Sequence, residues 1–144
     1  MKKFILPLIA AFVMLTGCSE KARVVTSYYK VNPNQWEYST TLNADQTYTI
    51  NYAYSTWENI DIDDEVIRNG VVLVYFIDDD SRDNILPYTQ YYIDGNGIQY
   101  HERMEYDIEP GKITFKFKAS DFNTLESMEN IGTLNFKVSV IRNY

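Results

Sequence analysis

The chain has 144 residues but only one cysteine and one histidine. A single thiol excludes a disulfide framework and a cysteine-rich metal cluster. A single imidazole, His101, is the only one that could serve a Ser-His-Asp or Cys-His hydrolase as its base. Six glycines and four prolines are too few for a collagenous or flexible low-complexity chain. No Gly-x-Ser-x-Gly elbow, phosphate-cradling glycine-rich loop, His-Glu-x-x-His or Cys-x-x-Cys occurs, so the better-known catalytic and cofactor motifs are missing together. Basic residues are also few. Thirteen Lys and Arg stand against 20 Asp and Glu, a net charge of −7, and that surplus repels phosphate backbones and anionic headgroups. A nucleic-acid partner is therefore not expected.

What the chain does have is enough apolar material for one core. Leu, Ile, Val and Phe make up 39 residues, and there are 13 tyrosines. The length suits a single domain.

The N-terminus carries the most specific signal. Lys2 and Lys3 precede an almost unbroken apolar run from Phe4 to Leu15, followed by Thr16, Gly17 and Cys18. Twelve helical residues rise roughly 18 Å, short of the roughly 30 Å hydrocarbon core, so a secretory signal fits better than a membrane span. Leu15-Thr16-Gly17-Cys18 resembles the lipobox of bacterial lipoproteins. The resemblance implies cleavage before Cys18 and acylation of its thiol, with residues 1–17 as signal peptide and 18–23 as lipidated N-terminus and short tether. Removal of those 17 residues, two of them lysines, leaves 127 residues at a net charge of −9. Several acyl chains at about 0.8 kcal/mol per buried methylene give durable anchoring. A membrane partner held through the N-terminal lipid is thus expected, in the cell envelope and at the outer membrane. Glu20 and Lys21 resemble only in part the acidic cluster that marks surface export in Bacteroidota-type bacteria, so the periplasmic and surface faces both stay open.

Beyond the tether, residues 24–144 read as one β domain. Ile98, Tyr100, Met104, Tyr106 and Ile108 alternate with Gln99, His101, Arg103, Glu105 and Asp107, the period of a half-buried strand. The same period places Tyr48, Ile50, Tyr52 and Tyr54 on one face. It does likewise for Trp36, Tyr38 and Leu42, for Ile113, Phe115 and Phe117, and for Leu134, Phe136, Val138 and Val140. Val71 to Ile77 is apolar on both parities and reads as a central strand covered on both faces, or an inner strand beneath a loop or helix. Asp94-Gly95-Asn96-Gly97 and Glu109-Pro110-Gly111-Lys112 fit hairpins, and Pro87 demotes its neighbourhood to an edge or a bulge. Asp61 to Gly70 offers a short helix, and Phe122, Leu125 and Met128 suggest a second helical turn or a long connection. The expected fold is an all-β antiparallel sandwich, Ig-like or jelly-roll-like, of about seven to nine strands; a closed barrel is the alternative.

The ordered features from Ile60 through Val66-Ile67, Gly70 to Tyr75, Leu86-Pro87-Tyr88-Thr89, Gly111 to Phe115 and Phe136 to Ile141 resemble small uncharacterised secreted or lipidated domains common in Bacteroidota. That resemblance implies a β domain and brings no activity with it.

Candidate functional residues are few. His101 sits among polar neighbours on its strand, as a solvent-facing histidine does. Asp61, Asp63 and Glu65 start like an EF-hand, but Val66 and Val72 stand where Gly and Glu are required. Asp78-Asp79-Asp80 with Asp83 supplies hard oxygens of the kind calcium takes, but a solvated turn after a buried strand is the better account of them, so no cofactor is expected. A glycosidase carboxylate pair is compatible with the residue types alone, but a small sandwich leaves little room for a deep sugar site. Flat ring faces suit sugars, and Tyr48, Tyr52, Tyr54, Tyr100 and Tyr106 fall on the apolar parity, which packing explains. Trp57, Tyr88, Tyr91 and Tyr92 flank connections and form the candidate ligand-binding set. The expected function is a non-catalytic binding or accessory module for a glycan or envelope protein. A surface assembly component working through an exposed strand edge is the alternative, and a small hydrolase stands third.

Overall fold

A computed structural model describes residues 21–120 and 131–142. Cys18, the signal peptide, and Phe122, Leu125 and Met128 lie outside the described residues. Alternation in the sequence becomes nine strands: β1 (Arg23–Val31), β2 (Glu37–Leu42), β3 (Tyr48–Glu58), β4 (Val71–Ile77), β5 (Asp83–Ile85), β6 (Tyr88–Ile93), β7 (Gln99–Glu109), β8 (Lys112–Ala119) and β9 (Leu134–Arg142). All the pairings are antiparallel. One sheet has the order β1-β9-β4-β5 and the other β2-β3-β8-β7-β6, and their apolar faces meet in one core. The expected antiparallel sandwich is the fold.

Turn chemistry sets the connections. Asp94–Gly97 closes the β6–β7 hairpin, with the Asp94 carboxylate accepting the Asn96 and Ile98 N–H groups at 2.8 Å. Pro110 and Gly111 close β7–β8, and Gly111 takes φ +78°, a conformation that suits glycine. Between β3 and β4 stands the expected short helix, α1 (Asp64–Asn69). Asp63 caps it by accepting the Val66 N–H at 2.9 Å. Its free oxygen receives Arg142 of β9 at 2.8 Å, which ties the helix to the four-stranded sheet.

Leu42 and Ile98, assigned to apolar faces, are exposed at the ends of their runs, and two larger expectations change. The first concerns β3. The β2–β3 register slips between Ser39 and Thr40, so that Ser39 faces Tyr52 and Thr40 faces Ile50. Asn51 is the extra residue of a bulge, and the inward parity reverses there. Ile50 points inward before it; Ala53, Ser55 and Trp57 do so after it, with Ala53 and Ser55 buried opposite Phe117 and Phe115. Tyr52 and Tyr54 therefore lie on the outer face, where Lys116 sits over the Tyr52 ring at 5.2 Å and Tyr54 donates to Glu37 at 2.9 Å. Tyr48, at the strand start, is exposed. Tyr100 and Tyr106 keep the inward parity assigned to them.

The second concerns β4. It is an inner strand, between β9 and β5, but only Val74 and Phe76 are buried. Its other face is half covered, by neighbours such as Lys137, whose ammonium lies 4.4 Å from the Tyr75 ring centroid. Apolar content on both parities reflects this partial cover rather than a second packed layer.

Candidate functional site

The four candidate aromatics do not form one platform. Trp57 lies at the level of Ile113 and Ile108, whereas Tyr92 lies opposite Tyr100. Eight residues of β7 separate those levels, about 27 Å at roughly 3.4 Å per residue. Trp57 closes the core at its end of the sandwich, edge-on to Tyr29 at 5.7 Å and donating its indole N–H to Ser55 at 2.9 Å. That bond also satisfies the hydroxyl of a buried serine. Tyr88 stacks on Phe76 at 6.2 Å between the sheets. Tyr91 and Tyr92 are adjacent on β6 and so face opposite ways.

Tyr92 faces inward, stacked on Tyr100 at 5.2 Å. Burial and then the neighbouring Glu102 carboxylate push its phenol up to about 12. With Gln90, Glu102, Asp79, Asp80 and Arg82 it lines a polar cleft of about 420 Å³ between the two sheets. The acidic run beside the cleft is largely engaged. Asp78 accepts the Arg82 N–H and Nε at 2.9 Å and Asn84 at 3.2 Å, and these bonds, the Arg82 backbone first, hold its carboxyl below the ordinary range. Asp80 pairs with Arg82 at 2.8 Å, and Asp83 with Lys137. Among the described residues no group of three or more His, Cys, Asp or Glu is placed to hold a metal ion.

Tyr91 is on the other side. It is 79% exposed, with Ile93 at 68% and Ile98 at 62% near the same hairpin tip. Among the described residues its one ring contact is with His101, at 5.8 Å on the neighbouring strand. A depression of about 270 Å³ lies beside them, lined by Tyr91, Tyr92, Ile93 and Gln99. His101 is exposed, and its backbone N–H donates to Ser120 at 2.9 Å.

Part of the wet surface elsewhere is engaged in polar pairs, within a strand or across strands, although Val24, Tyr28, Leu42 and Tyr48 are also exposed. Arg103 meets Glu105 at 2.6 Å, Lys116 meets Asp107, and Thr26 meets Ser139 at 3.1 Å. Sheet edges are normally guarded by charge, proline, bulges or shortness. β1 carries Arg23 and Lys30, β2 carries Glu37 and the bulged pairing, and β5 is three residues long with Asp83. β6 is different. Tyr88-Thr89-Gln90-Tyr91-Tyr92-Ile93 contains no charge, proline or register shift, and among the described residues it pairs on one side only.

Nothing in the sequence marks Thr89 and Ile93, the other residues of this edge, as distinct. The available signal was Pro87, which marked an edge just upstream. No protein-family model, curated protein or solved structure matches the chain.

Proposed function

We propose that this protein is a lipid-anchored module of the bacterial cell envelope, attached through Cys18, that binds a protein partner along the open edge of β6. The single observation that carries the docking site is an uncharged, unguarded edge strand bearing an exposed Tyr91, where the other sheet edges among the described residues are guarded. An added strand gains affinity from main-chain hydrogen bonds and selectivity from alternate side chains. The anchor rests on the lipobox resemblance. No catalytic role is proposed for any residue.

A photo-crosslinking residue in place of Tyr91, compared with one in place of the exposed Thr56 on β3 of the same sheet, tests this in intact envelopes. A discrete adduct from position 91 and none from position 56 is expected. No adduct at 91, or equal adducts at both, would remove the edge from consideration.

A second reading is favoured by the polar cleft. Its volume lies within the roughly 300–1,000 Å³ of small-molecule sites, and Gln90, Glu102 and Tyr92 supply hydrogen-bonding groups that suit a sugar. Saturation-transfer NMR with a panel of envelope saccharides, using Gln90→Ala as comparison, separates it from the edge. A signal lost in Gln90→Ala and retained in Tyr91→Lys would transfer the function to the cleft.

A further inference from the structure

The reading of β6 as a docking edge leaves its occupant open, and the backbone pattern narrows it. On β7, the His101 carbonyl accepts the Ser120 N–H at 2.9 Å and the His101 N–H bonds to the Ser120 hydroxyl, so odd-numbered residues of β7 direct their main chain away from β6. At the hairpin, Asp94 N–H donates to Ile98 at 2.9 Å. Antiparallel ladders alternate. The even pairs Tyr88/Met104, Gln90/Glu102 and Tyr92/Tyr100 are therefore the hydrogen-bonded ones within the sheet. The N–H and C=O groups of Thr89, Tyr91 and Ile93 point outward from the edge, and no backbone partner meets them among the described residues.

We infer that this edge pairs antiparallel with the same edge of a second copy, each Tyr91 facing its counterpart; the inference rests on the proposal that β6 is the docking edge. Three features make the strand complementary to itself. The outward groups are spaced symmetrically about Tyr91, so a two-fold contact pairs Tyr91 with Tyr91 and Thr89 with Ile93 on either side. Sliding the register toward Pro87 brings in a residue without an N–H, and sliding it the other way brings in the turn at Gly95. That leaves the Tyr91-centred register with the most bonds.

The second feature is charge. No residue from Tyr88 to Ile93 is charged, so the edge meets its copy without like-charge contact, in a protein of net charge −7. The third is Gln90. Its half-buried side-chain amide makes no hydrogen bond among the described residues, and in this register it lies opposite Tyr92 of the second copy. The Tyr92 phenol, whose proton is held toward Glu102, has a lone pair to accept from it.

Two strands of this length cover less surface than the roughly 1,200–2,000 Å² of stable complexes. The dimer is accordingly weak in dilute solution and favoured where copies share a membrane surface, which raises their effective concentration.

The test uses the full chain, expressed in bacterial cells and extracted in mild detergent. Facing Cα atoms of a hydrogen-bonded pair lie about 5.5 Å apart, within disulfide reach. On mild oxidation Tyr91→Cys is expected to form a linked dimer at least fivefold above both the wild-type chain, whose Cys18 thiol is blocked by the lipid, and His101→Cys on the adjacent strand. In sedimentation velocity, the wild-type chain is expected to shift toward dimer with concentration, and Tyr91→Lys to stay monomeric at an unchanged melting temperature. A wild-type chain monomeric at every concentration, with Tyr91→Cys no more reactive than His101→Cys, overturns the inference. If the photo-crosslink at position 91 then joins a different chain, the docking edge stands with another occupant. If it joins none, the edge falls too.

Discussion

The ring of Phe115 on β8 lies flat against that of Phe136 on β9, with centroids 4.2 Å apart and planes 9° from parallel. Both side chains are fully buried and they belong to different sheets, so this contact closes the sandwich. Tyr29 at 5.4 Å from Phe115 and Phe76 at 6.1 Å from Phe136 extend it across the core. Phe136→Ala should cost about 3–5 kcal/mol through lost burial and the cavity it leaves. Urea unfolding followed by circular dichroism measures this; a cost below about 1 kcal/mol would mean that the two sheets do not meet there.

Asp63 couples α1 to β9, and the coupling depends on pH. The Val66 N–H, with Arg142, holds its carboxyl below the ordinary range. A lowered carboxylate stabilises the fold above its unfolded value of about 3.9, and this stabilisation is lost as pH falls through the folded value. Asp63→Asn keeps a capping acceptor but loses the charge. Its melting temperature should be lower than wild type at pH 7, and the gap should close below about pH 4. A gap that persists unchanged into acid would assign the effect to packing.

At the other end of the scale, Tyr92 keeps its proton until about 12, whereas the unfolded chain releases it near 10. A raised phenol stabilises the fold below its unfolded value, and that contribution disappears between roughly pH 10 and 12. Tyr92→Phe should flatten the decline in melting temperature over this window. An identical decline in the variant would show that the Tyr92–Glu102 environment is not responsible.

Much of this architecture was legible because period two is a direct readout of which face a strand buries. Ile113, Phe115 and Phe117 on β8 and Phe136, Val138 and Val140 on β9 alternate without interruption, and both hairpin turns carry their own chemistry. The β3 reversal was hidden because Tyr48, Ile50, Tyr52 and Tyr54 alternate as smoothly as any core strand. Only the extra residue in the pairing with β2 shows that Tyr52 and Tyr54 face out and that Ala53 and Ser55 face in. A buried Ser55 gave no apolar signal; the Trp57 indole satisfies it. Position beside connections is what marks the candidate aromatics in the sequence, although adjacency on one strand already requires Tyr91 and Tyr92 to diverge. That β6 is an edge is a tertiary fact, since it depends on which strands lie beyond it, and only Pro87 hinted at it.

If Cys18 carries the anchor, Cys18→Ser should move the protein from the detergent-rich phase to the aqueous phase and abolish incorporation of labelled fatty acid, leaving the fold of the domain unaltered. Equal partitioning of both forms, or continued labelling of the variant, would refute lipid attachment at this residue.

The most direct measurement for the central claim is residue-resolved amide hydrogen exchange along β6 in dilute and concentrated samples. An open edge that docks by strand addition predicts fast exchange at Thr89, Tyr91 and Ile93 in the dilute chain beside slow exchange at Gln90 and Tyr92, with the three fast amides becoming protected as concentration rises or partner is added. Slow exchange at Tyr91 in the dilute monomer, or no protection under any condition, would contradict it.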